Sequence, residues 1–270
     1  MKRLIAAALL LWAILPLSAQ TVRLRLATTT STQDSGLLPV LNAPFEKMTG
    51  ITVDVIAVGT GAAITLGVKG DVDVLLVHDR KAEDKFVADG YGVNRRDVMH
   101  NDFILVGPAD DPAGAASAGS AGAAFAKIAA ARAAFVSRGD ASGTYVKEMD
   151  VWGKAGLKPA GTWYKEAGQG MGAVLTMSGD LRAYTLSDRA TWLSMKDKLS
   201  GLKVVFEGDP FLFNPYGVIA VNPQKYPKAK YMAAMQYIAW VTSVEGQKVI
   251  REYSIGGQQL FTPDAINQTP

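Results

Sequence analysis

The sequence predicts an α/β fold with a mainly parallel sheet, divided into two lobes. Apolar runs of strand character alternate with segments of helical apolar spacing along most of the chain after residue 20. Several strand-to-helix junctions are short and rich in glycine or hydroxyl residues. Two turn-rich breaks, near residues 109–122 and 207–215, bracket a middle segment. Residues 20–108 plus 210–270 are therefore expected to form one lobe and residues 109–209 the other. Two chain crossings between them would leave a cleft, the usual place for a small ligand.

In chain order, "TVRLRLATT" alternates Val22, Leu24 and Leu26 with Arg23 and Arg25, a half-buried strand. "DSGLLPVLNAPFEKMTG" has helical spacing and a stop at Gly50; Pro39 suits its first turn and Pro44 would kink or shorten it. "ITVDVIAV" predicts a strand, "GAAITLGVKG" a short helix, "VDVLLVH" a buried strand, "RKAEDKFVADG" a helix and "DFILVG" a strand. After the loop "ADDPAGAASAGSAG" comes a helix over 123–133. "AAFVSRGD" predicts a strand, "SGTYVKEMDVWGKAG" a helix, and "WYKEAGQGMGAVLTMSGDL" a loop feeding a helix. "RAYTLSD", "LKVVFEGD" and "NPYGVIAVNP" are strands, with the helix "RATWLSMKDKL" between the first two. "YPKAKYMAAMQYIAWVTSVEGQKVIREYS" is almost wholly helical. No internal repeat is visible.

At 270 residues, 49% hydrophobic and 20% charged, the chain is globular and long enough to bury a large core. Residues 1–19 are a separate object. Lys2 and Arg3 precede an apolar run over 4–15, and "PLSA" offers a small-residue cleavage site. That is the pattern of a secretory signal peptide, too short for a good membrane span, with the mature chain starting near Gln20. Without Lys2 and Arg3 the net charge falls from +3 to +1, so nothing points to a nucleic-acid partner. An exported chain without cysteine has no disulfide and no lipid-modified cysteine, which fits the periplasm of a Gram-negative cell.

Four junctions share one chemistry: "TTTSTQDSG" (28–36), "VGTGAA" (58–63), "SRGDASGT" (137–144) and "GQGMGA" (168–173). Each precedes a helix, whose first N–H groups lack intrahelical partners and carry partial positive charge. Any one of them could be ordinary N-capping. Four in one chain, one with an arginine, suggest an anion site assembled from both lobes. Arg138 ends the apolar strand "AAFVSR", where it could meet an oxyanion with two donors, or form a buried bridge to Asp140 or Asp188. Asp34 and Asp140 would cap helices or orient Arg138.

Catalysis has little support. "GDASG" lacks the Gly-x-Ser-x-Gly spacing of a nucleophilic serine, so a hydrolase using Ser142 would need a base that the sequence does not supply. His78 and His100 have no partner at metal-ligand spacing and read as capping or supporting contacts. No phosphate-binding loop or dinucleotide fingerprint occurs. The expectation is no enzyme, no cofactor and no metal-cation ligands.

"LATTTSTQDSGLL", "VIAVGTGAAITLG", "DVDVLLVHDRKAEDKFV", "SRGDASGTYVKE", "GQGMGAVLTMS", "AYTLSDRATWL" and "EGDPFLFNPYGVIAVNP" closely resemble, in order and over essentially the whole mature chain, the periplasmic tungstate-binding proteins of ABC transporters. The resemblance implies a two-lobed periplasmic-binding-protein fold that hands tungstate to a membrane permease driven by a cytoplasmic ATPase; molybdate, of the same charge and shape and nearly the same size, is expected to bind as well. A monomer is expected. By resemblance Thr28, Thr29, Thr30 and Ser31 fall on the family's threonine-rich binding motif and Arg138 on its anion-contacting arginine. Thr60, Ser142, Gly143, Thr144, Gly172 and Ala173 match its other turns. Ala141 and Tyr145 replace residues that are often polar in relatives. Tungstate is a tetrahedral dianion, and burying it needs many donors, which hydroxyls and backbone N–H groups supply. Sulfate or phosphate binding on the same fold is the alternative; protonated phosphate would call for an acceptor in the site.

Overall fold

The structure, a computed structural model, describes residues 21–266. The expected export segment, residues 1–19, lies outside the described residues. The first lobe is built on β1 (Arg23–Thr29), which pairs in parallel with β2 (Thr52–Val58) on one side and β3 (Val74–Val77) on the other. Between them run α1 (Thr30–Asp34), α2 (Leu37–Thr49) and α3 (Thr60–Lys69), and α4 (Arg80–Ala88) follows β3. The sequence suggests one helix over 34–50, and the structure breaks it at Gly36. There φ is +78°, and a Cβ would stand 2.5 Å from the Tyr253 hydroxyl, so only glycine fits and α2 starts afresh. Pro44 lies inside α2 without ending it.

β4 (Gly92–Pro108) is 17 residues long, more than twice the predicted strand "DFILVG". Its first part escapes the alternation test because Asn94 has φ +56° and the register slips twice, between Val93 and Arg96 and between Asp97 and Met99. Beyond it lie α5 (Ala121–Ala131), β5 (Phe135–Ser137), α6 (Gly143–Lys154), β6 (Tyr164–Glu166), α7 (Met171–Asp180), β7 (Thr185–Asp188), α8 (Arg189–Met195) and β8 (Leu202–Phe206). The chain closes with β9 (Phe213–Val221), α9 (Tyr231–Val241), α10 (Val244–Glu252) and the short strands β10 (Ser254–Ile255), β11 (Gln258–Gln259) and β12 (Thr262–Pro263). The long C-terminal helix of the sequence reading is two helices, because the Ser243 hydroxyl caps α10 by accepting from Gly246 N at 3.0 Å.

β4 joins the lobes. Residues 92–102 pair antiparallel with β9, whereas residues 103–108 pair antiparallel with β7 and β8. The partner changes between Asp102 and Phe103, six residues before the break expected from composition. The sheet is therefore mixed: β1, β2 and β3 are parallel, as are β5 and β6, while the crossing strands bring antiparallel pairing. The second crossing follows β8, through residues 207–212. One guanidinium ties both crossings: Arg189 donates to Asp102 through Nε at 2.6 Å and Nη2 at 2.7 Å, and to Glu207 through Nη2 at 2.5 Å.

Apolar burial sits on both faces of this sheet. Leu24, Leu26, Leu41, Phe45 and Tyr237 pack beneath α2 and α9, in a core that continues through Val174, Leu175 and Trp192 of the middle segment. Phe103, Phe125, Phe135, Trp152 and Tyr184 fill the second lobe, and Ala27, Leu75, Phe86 and Ile219 the opposite face of the first. Among the described residues no helix is long and apolar enough to cross a membrane. These cores hold the strand ends rigid, and the strand ends carry the site.

Candidate functional site

The five hydroxyl residues over 28–32 divide their work where β1 becomes α1. In a strand side chains alternate, and in a helix they rotate by about 100° per residue, so neighbours point to different partners. Thr28 Oγ1 donates to the carbonyl oxygen of Leu76 in β3 at 2.7 Å, which fastens two strands together and uses its only hydrogen. Thr29 is the N-cap of α1: its Oγ1 accepts from Thr32 N at 3.2 Å and lies 3.1 Å from Ser31 Oγ and 2.6 Å from Thr32 Oγ1. Ser31 Oγ is 3.3 Å from His78 Nε2. Thr30, the first residue of α1, has a buried hydroxyl with no partner.

α3 and α7 each begin after a glycine, Gly59 and Gly170, with no side-chain cap. Their first N–H groups are left to another acceptor, and the partial positive charge at each helix start favours an anion. Thr60 opens α3 with a second buried, unpartnered hydroxyl. At α6 the N-cap is Ser142, whose Oγ accepts from Tyr145 N at 3.1 Å. Gly143 and Thr144 follow, both buried, and Thr144 Oγ1 is a third orphan.

Arg138 follows β5 and is 3% exposed. The turn beyond it requires glycine: Gly139 has φ +58°, and a Cβ there would lie 2.5 Å from the Glu166 Cβ. Asp140 then folds back. Its Oδ2 accepts from Arg138 Nη2 at 2.6 Å, and its Oδ1 from Ser142 N at 3.1 Å. Both sequence readings of Arg138 are thus present at once, since the bridge to Asp140 exists while Nε is buried without a partner.

The four turns touch one another. Gly61 N donates to the carbonyl oxygen of Ala141 at 2.9 Å. A Cβ on Gly170 would stand 3.9 Å from Thr30 Oγ1, and one on Gly143 would stand 3.1 Å from the His78 ring. Six buried side-chain polar atoms lack a partner among the described residues, and four of them belong to these turns: Thr30 Oγ1, Thr60 Oγ1, Arg138 Nε and Thr144 Oγ1. Each such orphan costs about 1–3 kcal/mol, so a cluster of four marks a place built to receive an acceptor.

Asp188 and Asp140 are already engaged, whereas Asp34, beside the start of α7 and raised by burial, accepts no hydrogen bond among the described residues. Asp188, the buried N-cap of α8, accepts from Thr191 N and Thr191 Oγ1, both at 2.8 Å, and burial pushes its carboxyl up. Both oxygens of Asp140 are occupied as described. Burial, with the Arg138 charge as a lesser cause in the same direction, holds the His78 imidazole down at about 4, which keeps it neutral. The surroundings thus combine a guanidinium, hydroxyls and helix N–H groups. That donor set suits a multiply charged oxyanion.

Two expected residues stand apart from the orphan cluster. Thr28 is committed to Leu76, and Ala173, third in α7, is exposed. Gly172 is half-buried, and a Cβ on it would lie 3.1 Å from Met195 Sδ and 3.9 Å from Asp34 Oδ2. Gly59 and Gly170, the residues that cap α3 and α7, were legible only as members of glycine-rich turns. His78, read from the sequence only as a capping or supporting contact, supports the Thr29–Ser31 turn through Nε2; its partners carry no spacing signal. Ser142 Oγ has no hydrogen bond to a histidine among the described residues; it accepts from Tyr145 N.

A PBP superfamily domain matches residues 17–245. The TupA tungstate-binding protein of Peptoclostridium acidaminophilum is 49% identical over 89% of this chain and 85% of its own. A putative ABC transporter anion-binding protein of Haloferax volcanii is 53% identical, over 93% of this chain and 74% of that protein. The solved tungstate ABC transporter structure from Geobacter sulfurreducens superimposes with a TM-score of 0.80 at 58% identity, covering 86% of this chain and 98% of that one. The fold, the turn-built site and these relatives agree: the chain belongs to the PBP superfamily and, within it, to the family of the TupA tungstate-binding proteins.

Proposed function

We propose that this protein captures tungstate, and also molybdate, and delivers it to an ABC transporter. The observation that carries the reading is the set of four orphaned donors, Thr30 Oγ1, Thr60 Oγ1, Arg138 Nε and Thr144 Oγ1, on turns that meet from both lobes. A tetrahedral dianion accepts at four oxygens, so it can satisfy donors arriving from several directions at once. The ligand set comprises Thr29, Thr30, Ser31, Thr60, Arg138, Ser142, Gly143, Thr144 and the start of α7 at Gly172, with backbone N–H groups of α3, α6 and α7 completing it. The oxyanion is cargo rather than a cofactor, and no catalytic step is assigned.

Phosphate, monoprotonated near neutral pH, needs an acceptor for its hydrogen. Asp140 and Asp188 beside Arg138 already accept hydrogen bonds, which leaves Asp34, beside the start of α7, as the carboxylate able to take such a hydrogen. Parallel calorimetric titrations with tungstate, molybdate, sulfate and phosphate test the reading. Tight tungstate binding with weak or absent phosphate binding supports it, and preference for phosphate or sulfate replaces it.

The protein works as a periplasmic monomer, exported by residues 1–19, and hands its cargo to a membrane permease served by a cytoplasmic ATPase. The two lobes, divided at the crossings Asp102–Phe103 and residues 207–212, move against each other. Recovery by osmotic shock of a chain starting near Gln20 tests the export. A membrane-bound protein that keeps its first residues contradicts it.

A further inference from the structure

His78 follows β3 and is 5% exposed, with its ring against Tyr216 at 4.7 Å between centroids. Its Nδ1 lies 3.0 Å from Asn214 Oδ1, and Asn214 Nδ2 donates to Asn101 Oδ1 at 2.6 Å. Asn101 on β4 and Asn214 on β9 are register partners, one position before the Asp102–Phe213 pair at the crossing. An amide oxygen can only accept, so Nδ1 carries the hydrogen and donates. A neutral imidazole has a single N–H, and Nε2 is then an acceptor.

That acceptor faces two hydroxyls, Thr29 Oγ1 at 3.2 Å and Ser31 Oγ at 3.3 Å. The two hydroxyl oxygens are 3.1 Å from each other. Without Nε2, one would donate to the other and turn a donor inward. Thr29 Oγ1 also lies 2.6 Å from Thr32 Oγ1; with Thr32 donating there, the Thr29 hydrogen goes to the ring and the Ser31 hydrogen is left over. The Cε1–Nδ1 edge of the same ring lies against Gly143, where a Cβ would be 3.1 Å from both atoms. His78 therefore touches the binding turn of the first lobe, the crossing strands, and the first residue of α6 in the second lobe.

We infer that His78 is a positioning residue of the anion site: Nε2 accepts one hydroxyl hydrogen from the Thr29–Ser31 pair, and the other hydroxyl is thereby freed to donate to the bound oxyanion. The inference rests on the oxyanion reading above. It assigns a function to a chain of buried polar groups, Asn101, Asn214 and His78, that runs from the lobe crossing to the binding turn. The ring touches the ligand's donors, not the ligand.

The test has two arms. Nitrogen-15 NMR of the mature protein, with His100→Gln to separate the only two imidazoles, reads the His78 tautomer directly. The expected result is a protonated Nδ1 and an unprotonated Nε2; an Nε2–H tautomer, which would require both amides to be rotated, overturns the inference. In calorimetry with sodium tungstate, His78→Gln places an amide oxygen near the Nε2 position and is expected to stay within about threefold of the parent. His78→Asn ends near Nδ1 and is expected to weaken binding by about three- to tenfold, the loss of one hydrogen bond. Parent-like affinity in His78→Asn overturns the inference. If the variants do not fold, the tautomer alone decides it. If the parent binds no tungstate, the functional reading fails, and with it the role assigned to His78, whatever the tautomer.

Discussion

The backbone N–H of Gly61 donates to the carbonyl oxygen of Ala141 at 2.9 Å, so the first turn of α3 in one lobe is bonded to the turn before α6 in the other. That single bond draws Thr60 and Thr144 towards the same space. The approach is tight: a Cβ at position 61 would stand 3.0 Å from the Ala141 oxygen and 3.1 Å from its Cβ, so the neighbouring turn would have to give way.

Gly61→Val is therefore expected to hold the lobes apart. Overlap of this kind costs about 1–3 kcal/mol, which corresponds to about fivefold to a hundredfold in affinity. Solution scattering should show a smaller radius for the parent on adding tungstate, and a smaller or absent contraction for the variant. Equal contraction in both would mean that the contact does not control closure.

Arg138→Lys should damage binding nearly as much as Arg138→Ala. Nη2 is tied to Asp140 at 2.6 Å while Nε is left without a partner, so one planar group serves an internal bridge and a ligand together. Lysine keeps the charge but has a single donor centre. The loss should be on the order of 1.5–3 kcal/mol, about tenfold to a hundredfold in affinity, with melting temperatures near the parent's. Parent-like binding by the lysine variant would show that charge alone suffices.

Thr144→Val separates ligand contacts from folding contacts. The Thr144 hydroxyl is buried without a partner, and valine has nearly its shape. Without ligand the variant should be as stable as the parent or more so, by up to about 1 kcal/mol, because no orphan is left to desolvate. Its tungstate affinity should fall about three- to tenfold. A variant that melts earlier and binds normally would make the hydroxyl structural.

The pH dependence of stability has a separate source in the second lobe. Glu148 is 1% exposed, and its Oε1 accepts from Trp152 Nε1 at 3.1 Å and Tyr164 OH at 2.8 Å. Burial pushes its carboxyl up from 4.5 to about 7. A carboxyl raised on folding is destabilising once ionised, so the penalty is absent below 4.5 and complete above 7. Glu148→Gln keeps the accepting oxygen and removes the charge. Its stability relative to the parent should rise between pH 5 and pH 8, by at most about 3 kcal/mol. His78, depressed by burial, acts in the opposite direction, but it is common to both proteins and drops out of the difference. A pH-independent difference would mean that Glu148 is ionised at ordinary values.

The fold was legible where periodicity is strong. The buried run that becomes β3 and the alternation that becomes β1 were readable because each maps onto one or two buried faces. β4 was read at under half its length, since Asn94 and two register shifts scramble the side-chain alternation that marks a strand. Within the site, Thr28 and Thr30 look alike in sequence, yet one bonds a neighbouring strand and the other is left open, because the change from strand to helix falls between them. His78 was legible as a supporting contact, but its partners were not. Its role arises from Asn214, 136 residues away, and no local pattern carries that distance.

Crystals grown with tungstate test the central claim most directly, because tungsten scatters anomalously and its position can be read without bias. The expected result is one strong peak between the lobes, with oxyanion oxygens about 2.7–3.2 Å from Thr30 Oγ1, Thr60 Oγ1, Arg138 Nε and Thr144 Oγ1. A peak bound by one lobe alone, or one that leaves these four atoms without partners, would contradict the account.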